Sequence, residues 1–528
     1  MATALLFAAP AIVLDGAFPR PAAGENAHGL DKTSDHLIDV IKACLWGDDA
    51  AMSTAHSLVT EFSDTAAVVS AQTIAAEDFF HRSLEQTRDP RLADFVVAAE
   101  QRRFEIPPLL ESLVDQFKVP ALSPMADADV LACRHLMGST IAELKTIRKA
   151  LPGLTFAEVL GKPYSANRLA VIAAKNHGIQ INDASCDMPP LAARDFGSYA
   201  SIHRVSARAA VERYVQDNPS RAGRPLLVID DGGALIDAVG QAVTNGQIRQ
   251  PVVAIEQTTH GLYAVQGFAK TPSARRHGFA CISVARSEAK LRKESLLIAR
   301  SVLETIESWL LLLGRPLRNV GIVGFGAVGA AVAKAMTSRG ITVRIHDKNP
   351  NKLALAEMLG GFDIDWTLPD LLQRSEIIIG ASGGTSIDTA AAEYLRDDTI
   401  LISASSGDLE FSGLRHWSTR LHPIIPDDAA PTPFDLAHGM IEATSRHGDT
   451  GTRRAFVANR GFPVNFDGRC DPIPVRDIQL TRALIVGAVL QAAGAVDGTS
   501  LSGMTGVFEL HRDVDQFVTE KYSKITER

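Results

Sequence analysis

Val320-Gly321-Ile322-Val323-Gly324-Phe325-Gly326-Ala327-Val328-Gly329 decides the fold of this 528-residue chain. The apolar run from Asn319 to Val323 reads as a buried parallel strand, and Ala330 to Met336 continues as a helix. Gly324, Gly326 and Gly329 fall at the G-x-G-x-x-G spacing, and each has its own task. Gly324 permits the tight turn, Gly326 lets a pyrophosphate approach the backbone through Ala327 and Val328, and Gly329 lets helix pack closely on strand. The helix N-terminus then turns unpaired N–H groups and a positive dipole end toward the phosphates. A second strand, Ile341 to His346, ends at Asp347, where an acidic residue is expected to hold a ribose diol. That carboxylate would repel a 2′-phosphate, which favours NAD over NADP. Lys352, close by in sequence, is a second polar group for the same end of the cofactor and opposes that preference.

A chain of this length with 46% hydrophobic residues is expected to form two or three domains rather than one core. The formal charge of −8, with no basic stripe, excludes a nucleic-acid surface. Cys44, Cys133, Cys186, Cys281 and Cys470 are scattered and odd in number. No pair has C-x-x-C spacing, so neither a disulfide framework nor a metal site is expected, and the set suits a reducing cytoplasm. Ala4 to Leu14 is apolar but lacks a basic segment before it and contains Pro10, so it reads as a strand or mobile end rather than an export signal. Leu296 to Leu313 carries Arg300, Glu304 and Glu307 at helical spacing, which marks a buried amphipathic helix and not a membrane span.

In chain order, residues 1–125 read as a mainly helical extension, with periodic segments Leu37–Leu45, Ala66–Leu84 and Arg91–Phe117. Helices and strands alternate from residue 126. Val130–Leu151 reads as a helix, Thr155–Leu160 as a strand, Ala166–His177 as a helix, Ile179–Ile181 as a strand and Tyr199–Gln216 as a helix. Strand Pro225–Ile229 ends in Asp230-Asp231-Gly232-Gly233, and strand Pro251–Ile255 ends in Glu256-Gln257-Thr258-Thr259-His260-Gly261. Ligands of open α/β sheets sit beyond the carboxyl ends of strands, so both clusters are candidate site residues, with ordinary Asp/Gly turns as the alternative.

Those two clusters, with Lys290 to Ser295 and the glycine loop after them, resemble adenosylhomocysteinase in order and spacing. The similarity runs from about Cys133 to Tyr522. It implies an α/β protein of two doubly wound, Rossmann-like domains with the N-terminal helical extension outside them. A substrate domain would span residues 126–290 and be completed by about 472–505, with an NAD domain at 296–470 inserted and a C-terminal tail at 506–528. It also implies a homo-oligomer, dimer or tetramer, acting on a nucleoside-like small molecule. In the family's chemistry, tightly held NAD oxidises a ribose 3′-hydroxyl, which acidifies the C4′ hydrogen and lets the 5′ thioether leave; water adds and the ketone is reduced again. By the same resemblance Lys290 is the base for the 3′-hydroxyl, Asp231 the base at C4′, and His135 the acid near the leaving group. Glu294, four residues after Lys290, shares its helical face and pairs with it, where the family has Asp. Thr258, Thr259, His260, Ser295, Ser405 and Ser406 fall on cofactor-contacting positions, and Gln257 and Asp471 on substrate-contacting ones.

Several positions depart from that pattern. Gln257 stands in place of a second glutamate, His260 of a threonine, Ser406 of a Gly-His-Phe histidine and Asp471 of a Gly-His-Pro histidine. Met137 and Ser139 replace polar and acidic residues around the substrate, and the family's closing tail has no counterpart after Tyr522. Efficient hydrolysis of adenosylhomocysteine is therefore not expected. The retained Asp231, Lys290 and glycine loop favour an enzyme using the same internal redox method on another nucleoside or thioether. The alternative is a non-catalytic NAD-binding sensor or partner subunit.

Overall fold

The computed structural model describes residues 104–187, 198–217, 223–312, 314–422, 438–446, 452–468 and 470–526. The expected helices Leu37–Leu45 and Ala66–Leu84, and the Ala4–Leu14 run, lie outside the described residues.

The described residues form two sheets. The first contains β1 (Asp129–Arg134), β2 (Thr155–Gly161), β3 (Ile181–Asn182), β4 (Leu226–Asp230), β5 (Val252–Glu256), β6 (Phe279–Ser283) and β15 (Gly506–Glu509). Its order is β15-β6-β5-β4-β1-β2-β3, with every pair parallel. The second contains β7 (Val320–Val323), β8 (Val343–His346), β9 (Asp363–Ile364), β10 (Ile377–Gly380), β11 (Thr399–Ser403), β12 (Ser418–His422), β13 (Met440–Arg446) and β14 (Thr452–Val457). Its order is β9-β8-β7-β10-β11-β14-β13-β12, parallel from β9 to β14 and antiparallel beyond. Both sheets therefore have the doubly wound order, reversing beside their first strand, and the second sheet turns back again beyond β11 through β14, β13 and β12.

The burial pattern explains why these segments are strands. Val130 and Ala132 enter one apolar cluster while Leu131 and Cys133 enter another on the opposite face. Ile377 and Ile379 likewise separate from Ile378, and Ile400 and Ile402 from Leu401. A strand covered on both faces reads as a continuous apolar run, because both sets of alternating side chains leave water. This corrects the expected helix Val130–Leu151: its first part is the central strand β1, and only Gly138–Ala150 is helical. A short, fully buried apolar run carries no periodicity that separates the two states.

The first sheet gathers more of the chain than expected. Helix Pro108–Gln116 contributes Leu109, Leu110 and Leu113 to the cluster that holds Leu480 and Leu484 of helix Val475–Ala492, and the backbone N–H of Leu109 donates to Gln479 at 3.1 Å. The stretch from 506 on is not a tail. It supplies β15 against β6, and helix Arg512–Thr526 buries Val514 and Val518 in the same core. Helix Ser295–Leu312 buries Val302, Leu303 and Ile306 against the second sheet. Among the described residues no helix is long and apolar enough to cross a membrane.

Candidate active site

In each sheet the order reverses between two neighbouring strands, leaving a crevice at their carboxyl ends. In the second sheet those strands are β7 and β10, and the glycine loop fills the gap. Gly324 has φ +107°, and a Cβ there would stand 2.6 Å from the Ala381 carbonyl at the end of β10. A Cβ on Gly329 would run into the carbonyl oxygen of Gly324, so helix Ala327–Thr337 approaches the strand only because both are glycine. Gly326 differs, because a Cβ there meets open space. The protein's own packing does not require a glycine at this position, whereas a phosphate on the first turn of the helix would. Ala327 is exposed and Val328 half-buried beside it.

Asp347 is buried at the end of β8 and tied to this loop. Its carboxylate accepts the N–H of Phe325 at 2.7 Å and that of Asn349 at 2.8 Å, while Lys352 lies 3.4 Å away. On the other side of the crevice Glu410 accepts the N–H groups of Ser382 and Gly383 at 2.8 and 2.9 Å, and so fixes the turn that Gly324 packs against. The residues present thus fit a dinucleotide phosphate: an open glycine, an unobstructed helix N-terminus and a buried carboxylate at the diol position.

In the first sheet the crevice lies between β1 and β4, and a buried charged cluster occupies it. Asp231, just after β4, accepts Lys162 Nζ at 2.7 Å and the Gln257 side-chain amide, and lies 3.3 Å from His135 Nε2. His135 follows β1, and its Nδ1 lies 2.6 Å from Ser165 Oγ. Arg134 donates to Gln257 Oε1 at 2.9 Å and to Glu143 at 2.8 Å. Arg482 reaches Glu143 at 3.5 Å and donates to Ser139 Oγ at 3.1 Å. Lys162 sits at the end of β2, so three adjacent strand ends supply the centre of this cluster.

The electrostatics give each group a state. Burial opposes the charge on Asp231, but Lys162, His135 and Arg134 together hold its carboxyl well below the usual range. Burial and then Lys162 hold His135 well below its ordinary value, so its imidazole is neutral at neutral pH. Burial, followed by the nearby Asp230, pushes the Glu256 carboxyl up to about 8. Its Oε1 accepts the N–H of Gly232 and both donors of Thr258, which joins the loops after β4 and β5. A carboxyl raised in the folded state contributes stability below its unfolded value of 4.5, and that stability is lost as pH rises toward about 8. Glu256→Gln is expected to flatten the fall in melting temperature across that window, measured by calorimetry at several pH values.

Sequence reasoning named His135, Asp231 and Gln257, and they meet. It missed Lys162, Arg134, Glu143, Ser165 and Arg482. Lys162 follows a recognised strand, so the strand-end rule applied to it as well. Arg134 was hidden by the helix assigned across β1. Lys290 and Glu294 pair at 2.9 Å, in a π-helical turn leading into helix Ser295–Leu312.

Other expected cofactor or substrate contacts have local roles here. Thr258 caps helix Thr259–Phe268 by accepting the N–H of Gly261 at 3.0 Å. Thr258→Ala is expected to lower stability by about 1 kcal/mol in denaturant unfolding while leaving dinucleotide affinity unchanged. Ser295 donates to Leu291 O within its own helix, and Ser405 accepts the N–H of Gly383 at 3.1 Å. Thr259, His260 and Ser406 are exposed. Asp471 accepts the N–H of Ser139 at 2.9 Å and so caps helix Gly138–Ala150, where a Cβ on Gly138 would press on the Asp471 carboxylate.

Segments at the carboxyl ends of the two sheets are in contact. The backbone N–H of Tyr199 donates to Asp408 at 3.3 Å, Tyr164 stacks on Phe462 with ring centres 4.6 Å apart, and His135 stacks on Phe466 at 4.3 Å. Residues following β11 and β14 of the second sheet therefore cover the charged cluster of the first.

Residues 319–407 match the family described as "NADP oxidoreductase coenzyme F420-dependent". The second sheet carries an NAD(P)-type Rossmann unit. An uncharacterized protein of Mycobacterium tuberculosis, found in two strains, is 30% identical over 381 residues, which is 70% of this chain and 64% of the relative. The chain thus spans less than two thirds of those relatives' length. Solved structures of D-lactate dehydrogenase from Escherichia coli (12% identical, TM-score 0.29, covering 53% of this chain and 76% of that one) and of an L-alanine dehydrogenase (15%, TM-score 0.27, covering 60% and 94%) are also similar. These are likenesses of fold. These matches do not show the adenosylhomocysteinase family.

Proposed function

We propose that this protein is an NAD-dependent enzyme that oxidises a secondary alcohol held at the β1/β4 crevice and uses the resulting ketone to acidify a neighbouring C–H. This follows the internal redox plan of adenosylhomocysteinase on a substrate other than adenosylhomocysteine. The observation that carries the reading is the contact between carboxyl-end segments of the two sheets, which sets the charged cluster against residues following β11 and β14 of the second sheet. Asp347, an acid at the diol position, supports NAD over NADP.

The bound nicotinamide would supply the two-electron acceptor. The chain's own residues handle protons. By the resemblance Lys290 would be the base for the alcohol, accepting its proton once the Lys290 ammonium has passed its own to the paired Glu294. Asp231, clamped by Lys162 and the Gln257 amide, is a weak base, so the C–H proton goes to neutral His135 instead. Ser165 on Nδ1 fixes the imidazole ring, which leaves Nε2, 3.3 Å from Asp231, as the nitrogen that takes the proton. A general base within hydrogen-bond reach and neutral at working pH is what that step requires.

The test is a screen of nucleosides, thioethers and other secondary alcohols for the near-ultraviolet absorbance of reduced nicotinamide in the NAD-loaded protein. Lys290→Ala is expected to suppress the signal. His135→Asn is expected to leave it while slowing C–H exchange with solvent. If no compound reduces the cofactor, the reading fails. Adenosylhomocysteine turnover is expected below the ordinary range of about 1–10³ s⁻¹, because Ser139, Gln257 and Asp471 are committed to other partners.

A further inference from the structure

We infer that Asn459 is a positioning residue for His135: it fixes the turn from Phe462 to Phe466 so that the Phe466 ring holds the imidazole plane. This rests on the reading of His135 as the base that takes the C–H proton. The turn follows β14, and the backbone enters it through three consecutive residues of left-handed conformation: Asn459 at φ +49°, Arg460 at +52° and Gly461 at +83°. Glycine adopts that region freely and asparagine tolerates it, but arginine does not favour it, so the surroundings must hold the chain there. Asn459, only 1% exposed, supplies that hold. Its Nδ2 donates to the carbonyl oxygens of Pro463 at 2.8 Å and Phe466 at 2.9 Å, so both amide protons are bound to the turn. Its Oδ1 lies 2.9 Å from Nδ1 of the buried His438, ahead of β13, and its backbone oxygen accepts the N–H of Phe462 at 2.9 Å. The N–H of Val464 donates to Ser403 at the end of β11, which ties the same turn to the sheet.

The turn carries the cover of the charged cluster. Phe466 stacks on His135 with ring centres 4.3 Å and planes 13° apart, and Phe462 stacks on Tyr164 at 4.6 Å and 12°. Ser165 on Nδ1 fixes one point of the imidazole. A ring lying face-on removes the tilt about that point, which would carry Nε2 away from its place 3.3 Å from Asp231. Proton transfer from carbon depends on that placement, and a small displacement of the base lowers its rate steeply. The same face-on ring keeps water from the imidazole. Burial first, then Lys162, with Arg134 and Arg482, hold the pKa of His135 well below its ordinary value, against the pull of Asp231. Tyr164 meets the imidazole edge-on at 5.6 Å. On the other side of Asn459, the charged groups about His438 are Asp467 and Arg460.

The test is a nuclear magnetic resonance titration of the histidine-labelled full chain, with His135 assigned by its loss in His135→Asn. In the wild type the ring current of Phe466 is expected to shift the His135 Hε1 signal upfield. Asn459→Gly keeps the left-handed backbone and removes the clamp. It is expected to move that signal downfield and to bring the His135 titration up toward the ordinary 6.5, as water reaches the ring. Phe466→Leu is expected to do the same, and the double variant to add nothing further, because Asn459 acts through Phe466. Thr271→Ala loses the cap of the helix ahead of β6 and is expected to leave His135 unchanged, which separates positioning from a general loss of stability. With any compound that reduces the nicotinamide, Asn459→Gly is expected to slow C–H exchange about tenfold or more while the hydride step continues. A His135 signal and titration that stay in place in Asn459→Gly, or that move as far in Thr271→Ala, overturn the proposal even where the redox screen succeeds. So does a double variant whose shift exceeds that of Phe466→Leu. A signal that moves as expected in a protein where no compound reduces NAD upholds the positioning of the ring and rejects the redox reading.

Discussion

Gly326→Val is expected to lower NAD affinity by a factor of about 100 or more while leaving the fold unchanged, measured by calorimetry alongside thermal unfolding. The cause is geometric. A side chain at 326 points into open space in the protein, so the apo chain tolerates it, but that space is where a pyrophosphate reaches the helix N-terminus. Valine there removes both the close approach and the N–H contacts that depend on it. Gly329→Ala is the control with the opposite signature. Its Cβ meets the Gly324 carbonyl, so it is expected to destabilise the protein before any ligand is added. Asp347→Ala should fall between the two. It loses a diol contact and releases the Phe325 N–H that the carboxylate holds at 2.7 Å, so affinity and loop order fall together. If Gly326→Val binds NAD like the wild type, the glycine loop is a structural turn and the redox reading goes with it.

The second large effect is at Asp231. Asp231→Ala leaves Lys162 buried beside an imidazole with no counter-ion, and removing one partner of a buried pair typically costs about 3–5 kcal/mol. Burial resists the charge on Lys162, and Asp231 is what holds its ammonium protonated. The variant is therefore expected to unfold at lower denaturant, with Lys162 losing its proton. Asp231→Asn should be milder, because the amide oxygen still accepts from Lys162 Nζ. The double variant Lys162→Met, Asp231→Leu should regain most of the lost stability, since an apolar pair of similar volume has no desolvation penalty. Denaturant midpoints for the wild type, the single variants Lys162→Met and Asp231→Leu, and this double variant close a double-mutant cycle. A coupling energy near zero would show that the pair at 2.7 Å does not act as an ion pair. The linkage has a definite sign. A carboxyl depressed in the folded state gives stability that is full above its unfolded value of 3.8 and is lost as pH falls through its folded one.

The sequence by itself determined the Rossmann unit of the second sheet. Three glycines, a buried strand before them, a helix after them and an acid at the end of the next strand form a local pattern, complete within about thirty residues, as the βαβ unit requires. Each element of it can be read without knowing what lies across the fold. The strand-end clusters Asp230–Gly233 and Glu256–Gly261 were legible for a related reason, since parallel strands place their carboxyl ends on one edge of the sheet.

Only the tertiary structure decided what those clusters do. β1 hid inside an expected helix, because a strand buried on both faces loses its alternation, and Arg134 was hidden with it. The pairing of Lys162 with Asp231 joins residues 69 apart in sequence, and that of Arg482 with Ser139 joins residues 343 apart. No local pattern encodes such pairs. The seventh strand of the first sheet comes from residues 506–509, returned to β6 after the whole second sheet has been inserted. The sequence fixes which residue types reach a strand end. Whether a carboxylate there is a base or a clamped counter-ion depends on which cation the fold brings beside it, and for Asp231 that cation is Lys162.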